Sequence, residues 1–247
     1  MSQTPDTRCS LPPTSPASPT GALVFDRVAI SLNGAPLVAL NTQVAPGEVV
    51  SVMGPSGVGK STLLAYAAGF LAPAFDARGE VRLGDRRVTD LPASARRLGL
   101  LFQDALLFPH LSVAGNLAFG MPSSASRRER REAIEEALSD IGLTGFGERD
   151  PATLSGGQRA RVALMRTLLS RPQAMLLDEP FSKLDATLRQ EMRDLVFQRI
   201  REHRLPALLV THDRADAEAA AGPIIELAAA TQAPSGAAWQ GAHRASR

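Results

Sequence analysis

The sequence predicts an α/β fold: a parallel sheet built around a glycine-rich loop, an antiparallel β portion ahead of it, and a helical subdomain inserted midway. Three observations predict it. The apolar run Val49 to Met53 leads into Gly54-Pro55-Ser56-Gly57-Val58-Gly59-Lys60-Ser61-Thr62, and helical sequence follows at once. Further short apolar runs, Leu98 to Phe102, Met175 to Asp178 and Ala207 to Thr211, read as buried strands separated by helical stretches. Between residues 104 and about 172 such runs disappear and helical spacing replaces them.

In chain order, residues 1–20 hold five prolines, four serines and four threonines. So little apolar surface cannot offset the entropy of ordering, and residues 1–21 are expected to form a disordered leader. The leader has no apolar h-region of a secretory signal, and Cys9 lacks the apolar run of a lipoprotein signal. Leu23 to Leu32 and Pro36 to Val44 flank Asn33-Gly34, a hairpin signal, and are expected to form an antiparallel edge of the sheet. Ala45-Pro46-Gly47-Glu48 turns the chain into the strand before the loop. Gly79 to Leu83 predicts a short strand and Gly84-Asp85 a turn.

In the inserted region, Ser112 is placed to cap a short helix. Ser126 to Ile141 carries Ala133, Ile134, Ala137, Leu138 and Ile141 at helical spacing. Its other face, with Arg127, Arg128, Arg130, Arg131, Glu132, Glu135 and Glu136, reads as solvated and salt-bridged rather than as a polyanion site. Helices are expected over Arg159 to Ser170, Ala186 to His203 and Asp213 to Ala221, with a last short strand from Ile224 to Leu227. Residues 229–247 read as a loose tail. There is no internal repeat.

The spacing G-x-x-x-x-G-K-S has a physical reading. Glycines let the backbone turn tightly enough to aim several N–H groups at one anion, and the next helix adds its unpaired N–H groups and positive dipole end. Lys60 would then reach the β- and γ-phosphates of a nucleotide, and the Ser61 hydroxyl would ligate Mg²⁺. Composition sets bounds. The 247 residues suit one α/β domain, and 27 basic against 25 acidic residues leave a net charge of +2, weak support for nucleic-acid binding. One cysteine excludes a disulfide framework or a cysteine metal site. No stretch nears the roughly 20 apolar residues that span a bilayer.

A second glycine-containing helix start is Leu154-Ser155-Gly156-Gly157-Gln158. Ser155 is an N-cap candidate and the two glycines leave the backbone bare. A phosphate loop, then Leu-Ser-Gly-Gly-Gln, then an apolar strand ending Asp178-Glu179-Pro180, then His212 after a strand, resembles the ATP-binding cassette of the ABC superfamily. The likeness covers residues 22–228, with a core over 22–103 and 173–228 and the helical subdomain over 104–172. It implies a P-loop NTPase fold of ABC type. Phe102 to Phe108 and Asp150 to Leu164 look especially like importer cassettes of the YnjD-type subfamily, related to cassettes for thiamine and sulfate.

The resemblance implies an ATP-hydrolysing subunit of a bacterial transporter, an importer in the first instance, with ATP and Mg²⁺ as ligands. Asp178 would hold Mg²⁺ together with Ser61 and Gln103. Glu179 would polarise the attacking water, Gln103 would touch Mg²⁺ and that water and report nucleotide state to the helical subdomain, and His212 would sit at the γ-phosphate. Ser155, Gly156, Gly157 and Gln158 would meet the nucleotide of a second, head-to-tail copy, with Asp185 in the loop that crosses between copies. Integral-membrane permease subunits and a periplasmic solute-binding protein are the implied partners, nucleic acid is not, and the implied location is the cytoplasmic face of the inner membrane. Two departures stand out. Lys183 occupies a place where Ala is commoner, and Leu32 stands where an aromatic residue usually stacks adenine. Phe108, beside Pro109, is expected at the rim of a groove for a permease helix; for Leu106 and Leu107, packing under the helical subdomain and a place at that rim both stay open.

Other classes fit less well. A chromosome-maintenance cassette needs a long coiled coil between the two glycine motifs, a translation-factor cassette needs two copies, and a simple phosphate-loop kinase lacks Leu-Ser-Gly-Gly-Gln. A detached exporter-type or lipid-trafficking cassette, or a soluble non-transport ATPase, stays open on sequence alone.

Overall fold

The structure is a computed structural model that describes residues 21–227. The expectations for the leader, Cys9 and the tail lie outside the described residues. The first strands, β1 (Leu23–Leu32) and β2 (Ala35–Val44), form the expected hairpin around Asn33-Gly34, both with positive φ. They are followed by β3 (Val49–Met53), helix α1 (Lys60–Ala68), β4 (Phe75–Leu83), β5 (Arg86–Arg87), the single turn α2 (Ala93–Arg96) and β6 (Leu98–Phe102). The helical stretch contains α3 (Val113–Gly120), α4 (Arg127–Asp140) and α5 (Gly156–Leu169). The chain then closes with β7 (Ala174–Asp178), α6 (Ala186–Glu202), β8 (Ala207–Thr211), α7 (Arg214–Ala219) and β9 (Ile224–Glu226).

Two sheets result. An antiparallel sheet runs β2-β1-β4-β5, and a parallel sheet runs β6-β7-β8-β3-β9. The hairpin therefore belongs to a sheet of its own and does not form an edge of the parallel one, because both sides of β1 are taken, by β2 and by β4. Strand β4 starts at Phe75, four residues before the expected Gly79. Its extra length alternates exposed Asp76 and Arg78 with half-buried Phe75 and Ala77, the period-2 pattern of a half-covered strand.

The core follows from the strand pleat. Val50, Val52, Leu176, Leu208 and Val210 point to one face of the parallel sheet, where Leu63, Leu64 and Ala67 of α1 meet Phe25, Ile30, Val38 and Val81 of the antiparallel sheet. Met175, Leu177 and Leu209 point to the other face, against Ala163 and Leu164 of α5 and Met192, Val196 and Phe197 of α6. A third cluster joins α3, α4 and α5 through Leu117, Ile134, Leu138, Val162 and Met165.

Local chemistry defines the helix starts. Ser126 and Glu129 form a reciprocal capping box on α4, and Ser112, Asp185 and Asp213 cap α3, α6 and α7. On the outer face of α4, Arg128–Glu132 and Arg131–Glu135 pair at (i, i+4) spacing, as a solvated face should. Leu107 packs into the core, whereas Leu106 is 56% exposed and Phe119 67%. Phe108 is half-buried, its ring 4.5 Å from that of Phe119. The exposed apolar groups here are thus Leu106 and Phe119, with Phe108 behind them. Leu106 takes a left-handed φ of 44° and turns outward.

Candidate functional site: a cleft at the ends of four parallel strands

In a parallel sheet every strand delivers its C-terminal end to the same edge. Four of the motifs follow such ends: the loop after β3, Gln103 after β6, Asp178-Glu179 at the end of β7 and His212 after β8. At that edge lies an open cleft of about 500 Å³, lined by residues from the glycine-rich loop, Gln103, Asp104, Asp178 and Glu179.

The loop residues Gly54 to Thr62 leave an uncapped helix start open to the cleft, an arrangement that could hold an anion. Helix α1 starts at Lys60 with Gly59 as its N-cap, no side-chain cap and no acidic residue in the first turn. Its leading N–H groups therefore lack the oxygen that Ser112, Ser126, Ser155, Asp185 and Asp213 give the other capped helices. Gly59 is required twice over: its φ is 93°, and a Cβ would come within 2.9 Å of Leu37 and 3.0 Å of Val38 on β2. Lys60 is 5% exposed, and its Nζ donates to the carbonyls of Gly54 at 2.8 Å and Pro55 at 3.0 Å. Those bonds keep the loop closed around the ammonium group.

Across the cleft, the Ser61 hydroxyl donates to Asp178 Oδ1 at 3.0 Å, although the two are 117 residues apart. Burial pushes the Asp178 carboxyl above its usual range and the nearby Glu179 charge adds to this, while the Ser61 hydrogen bond and Lys60 pull it down. Glu179 has φ 46°, a left-handed conformation held where its carbonyl accepts from the Ser182 N–H and hydroxyl. This kink turns its carboxylate to 3.1 Å from Nδ1 of His212. The strand order explains that contact: β8 lies directly beside β7, so the residue after β8 lands next to the carboxylates at the end of β7.

Ser155 to Gln158 and Asp185 lie elsewhere. Ser155 and Gln158 complete a capping box at the start of α5, Gly157 packs on Leu188 of α6, and Asp185 caps α6 by accepting from the Leu188 N–H. None of them lines the cleft, nor does Leu32, which pairs with Ala35 and Phe75 at the end of β1. Sequence reasoning missed Phe102 and Asp104 as lining residues. It also missed the ion pairs Arg189–Asp213 (2.7 Å) and Arg193–Asp216 (3.2 Å) that fasten α6 to the segment after His212. Arg189 and Arg193 stand one turn apart on α6, a spacing that marks a shared face but names no partner.

The family model described as ABC transporter matches residues 37–182, more than half of the chain and spanning loop, cleft and Leu-Ser-Gly-Gly-Gln. The chain belongs to the ABC transporter family. It is an ATP-binding cassette that hydrolyses ATP on a P-loop NTPase core, with an antiparallel sheet beside the parallel one and several helices. The ABC transporter ATP-binding protein YnjD of Escherichia coli (strain K12) is 49% identical over 183 residues, covering 74% of this chain and 84% of that protein. The Fe(3+) ions import ATP-binding protein FbpC 1 of Rhizobium meliloti (strain 1021) is 44% identical over 187 residues, 75% of this chain and 52% of that protein. The FbpC of Agrobacterium fabrum (strain C58 / ATCC 33970) is 41% identical over 219 residues, 88% of this chain and 61% of its own length. The cassette thus spans little more than half the length of these iron-import relatives.

Proposed function

We propose that this cassette drives solute import through separate membrane subunits, using ATP sites that two copies share head to tail. The observation that carries this reading is the uncapped start of α1 facing Asp178 and Glu179 across one cleft, with His212 3.1 Å from Glu179. Residues 54–62 cradle the phosphates of ATP with backbone N–H groups, and Lys60 supplies the charge-assisted contact. Among the described residues no three His, Cys, Asp or Glu side chains gather to hold a metal alone. The donors that do meet, the Ser61 hydroxyl and the Asp178 carboxylate at 3.0 Å, are hard oxygens. They suit Mg²⁺, which takes few protein ligands when phosphates supply others, and Gln103 completes the set. Bound there, Mg²⁺ would neutralise phosphate charge. Glu179 orients and polarises the attacking water, and His212 fixes Glu179 and reaches the γ-phosphate. Leu32 offers the base apolar area.

Ser155, Gly156, Gly157, Gln158 and Asp185 serve the nucleotide of the other copy, which fits their position off the cleft of their own chain. Residues 104–172 act as the helical subdomain on a core of 22–103 and 173–228. Leu106 and Phe119 in that subdomain, with Phe108 behind them, receive a short permease helix in the helix-in-groove mode. A periplasmic binding protein delivers the solute, nucleic acid is not a partner, and the cassette works on the cytoplasmic face of the inner membrane. No helix among the described residues is long and apolar enough to cross a membrane. The names of the iron-import relatives favour import over the exporter alternative.

The test uses two variants. Glu179→Gln should bind ATP, lose turnover and accumulate as a nucleotide-closed dimer in size-exclusion chromatography. Ser155→Arg should fold and bind ATP yet be inactive. When it is mixed with a Lys60→Ala variant, one intact composite site per mixed dimer should return. Wild-type hydrolysis by Ser155→Arg alone would end the shared-site reading.

A further inference from the structure

Lys183 stands in the loop between Glu179 and the α6 cap Asp185, and its ammonium group reaches Asp104, 79 positions away in sequence. Nζ lies 2.5 Å from Oδ1 and 2.7 Å from Oδ2, gripping both carboxylate oxygens. Asp104 follows Gln103 directly and lines the same cleft.

Each end of this bridge is anchored to a different part of the protein. On the Lys183 side, Ser182 is bonded to the Glu179 carbonyl, and Arg189 donates to the Ser182 carbonyl at 3.3 Å and to Asp213 at 2.7 Å. That loop is therefore tied to Glu179 and to the segment after His212. On the Asp104 side, Arg166 of α5 donates to the carbonyls of Leu106 at 2.8 Å and Ala105 at 3.1 Å, so this segment is held by the helical cluster. The Lys183–Asp104 pair spans the gap between the two. It also offsets one of three carboxylates, Asp104, Asp178 and Glu179, that face a cleft proposed to hold an anion.

We propose that Lys183 is a positioning residue for ATP hydrolysis: by pairing with Asp104 it holds the Gln103 segment against the loop that carries Asp185, so that both move together. The inference rests on the reading of Gln103 as a group that touches Mg²⁺ and the attacking water. The side chains are 50% and 61% exposed, so the pair contributes little to folding. A purely structural surface pair would leave turnover unchanged.

A double-mutant cycle in the full chain separates the cases, with kcat, KM for ATP and melting temperature measured for Lys183→Ala, Asp104→Asn and the double variant. For a pair this exposed, each single variant should lower kcat by about two- to five-fold, with KM and melting temperature nearly unchanged. The double variant should be no worse than either single one. Lys183→Arg should restore kcat, and the gap between wild type and Lys183→Ala should close near 1 M salt, where such charges are screened. Unchanged kcat in Lys183→Ala at low salt, or additive losses in the double variant, would overturn the proposal. Gln103→Ala tells the two readings apart. If it loses turnover while Lys183→Ala does not, only the role of Lys183 falls. If neither loses turnover, the reading of Gln103 falls and takes this proposal with it.

Discussion

Arg96 offers a prediction whose size can be worked out in advance. The residue is 6% exposed, and its guanidinium group donates only to backbone carbonyls: Tyr66 at 2.8 Å and Ala67 at 2.7 Å in the last turn of α1, Leu91 at 2.8 Å, and Thr89. It thereby satisfies carbonyls at the end of the helix that starts at the phosphate loop, and pins that helix to the segment after β5. Burial pushes its pKa down, the cost of a desolvated cation. Hydrogen bonds to a charged group contribute about 1.5–3 kcal/mol each, so four would give about 6–12 kcal/mol. Desolvation of the cation takes back several kcal/mol. A net loss of about 2–4 kcal/mol for Arg96→Ala follows, or a fall of about 5–15 °C in melting temperature for a domain of this size. Differential scanning calorimetry of wild type, Arg96→Ala and Arg96→Met would measure it. Methionine keeps the apolar stem and removes the donors, so it should lose most of the same stability. A fall below about 2 °C in both variants would refute the reasoning. A large fall in alanine alone would assign the effect to packing.

Two further predictions follow from the site and its supports. The folded pKa of Asp178 is raised above its unfolded value, so its stabilising contribution is present at acid pH and lost as pH rises through the folded pKa. In metal-free buffer Asp178→Asn should melt above wild type at neutral pH, with a gap that narrows toward pH 4, and equal melting at both pH values would count against burial as the dominant influence. Gly157→Ala would set a Cβ against the Leu188 side chain, 2.9 Å from its Cγ, so that Leu188 must shift, at a cost of about 1–3 kcal/mol. Adding Leu188→Ala to Gly157→Ala should recover the part of the melting temperature lost to that clash, and no recovery would mean that the two helices tolerate the extra methyl group.

Much of the molecule was legible because its signals are local. The loop Gly54 to Thr62, the Ser126–Glu129 and Ser155–Gln158 helix starts and the Asn33-Gly34 turn each depend on residues within a few positions of one another. Their physics, a cap, a left-handed glycine, an unpaired N–H, is complete within that span. The short buried strands were legible as apolar runs for the same reason. The start of β4 at Phe75 was missed because its alternation of polar and apolar residues is a weak signal beside continuous apolar runs.

By itself, then, the sequence determined most of the segments that become strands and helices and where the phosphate loop sits, though not the short β5 and α2. Only the tertiary structure decided how they are ordered. Apolar runs such as Met175 to Leu177 and Ala207 to Val210 are interchangeable as pairing surfaces, so nothing local places β8 between β7 and β3. Yet that order brings His212 to 3.1 Å from Glu179, and Ser61 and Asp178 meet across it. It was equally the fold that set Lys183 on Asp104 and Arg189 on Asp213. A long charged side chain accepts many partners, and only the packing of the elements that carry it selects one.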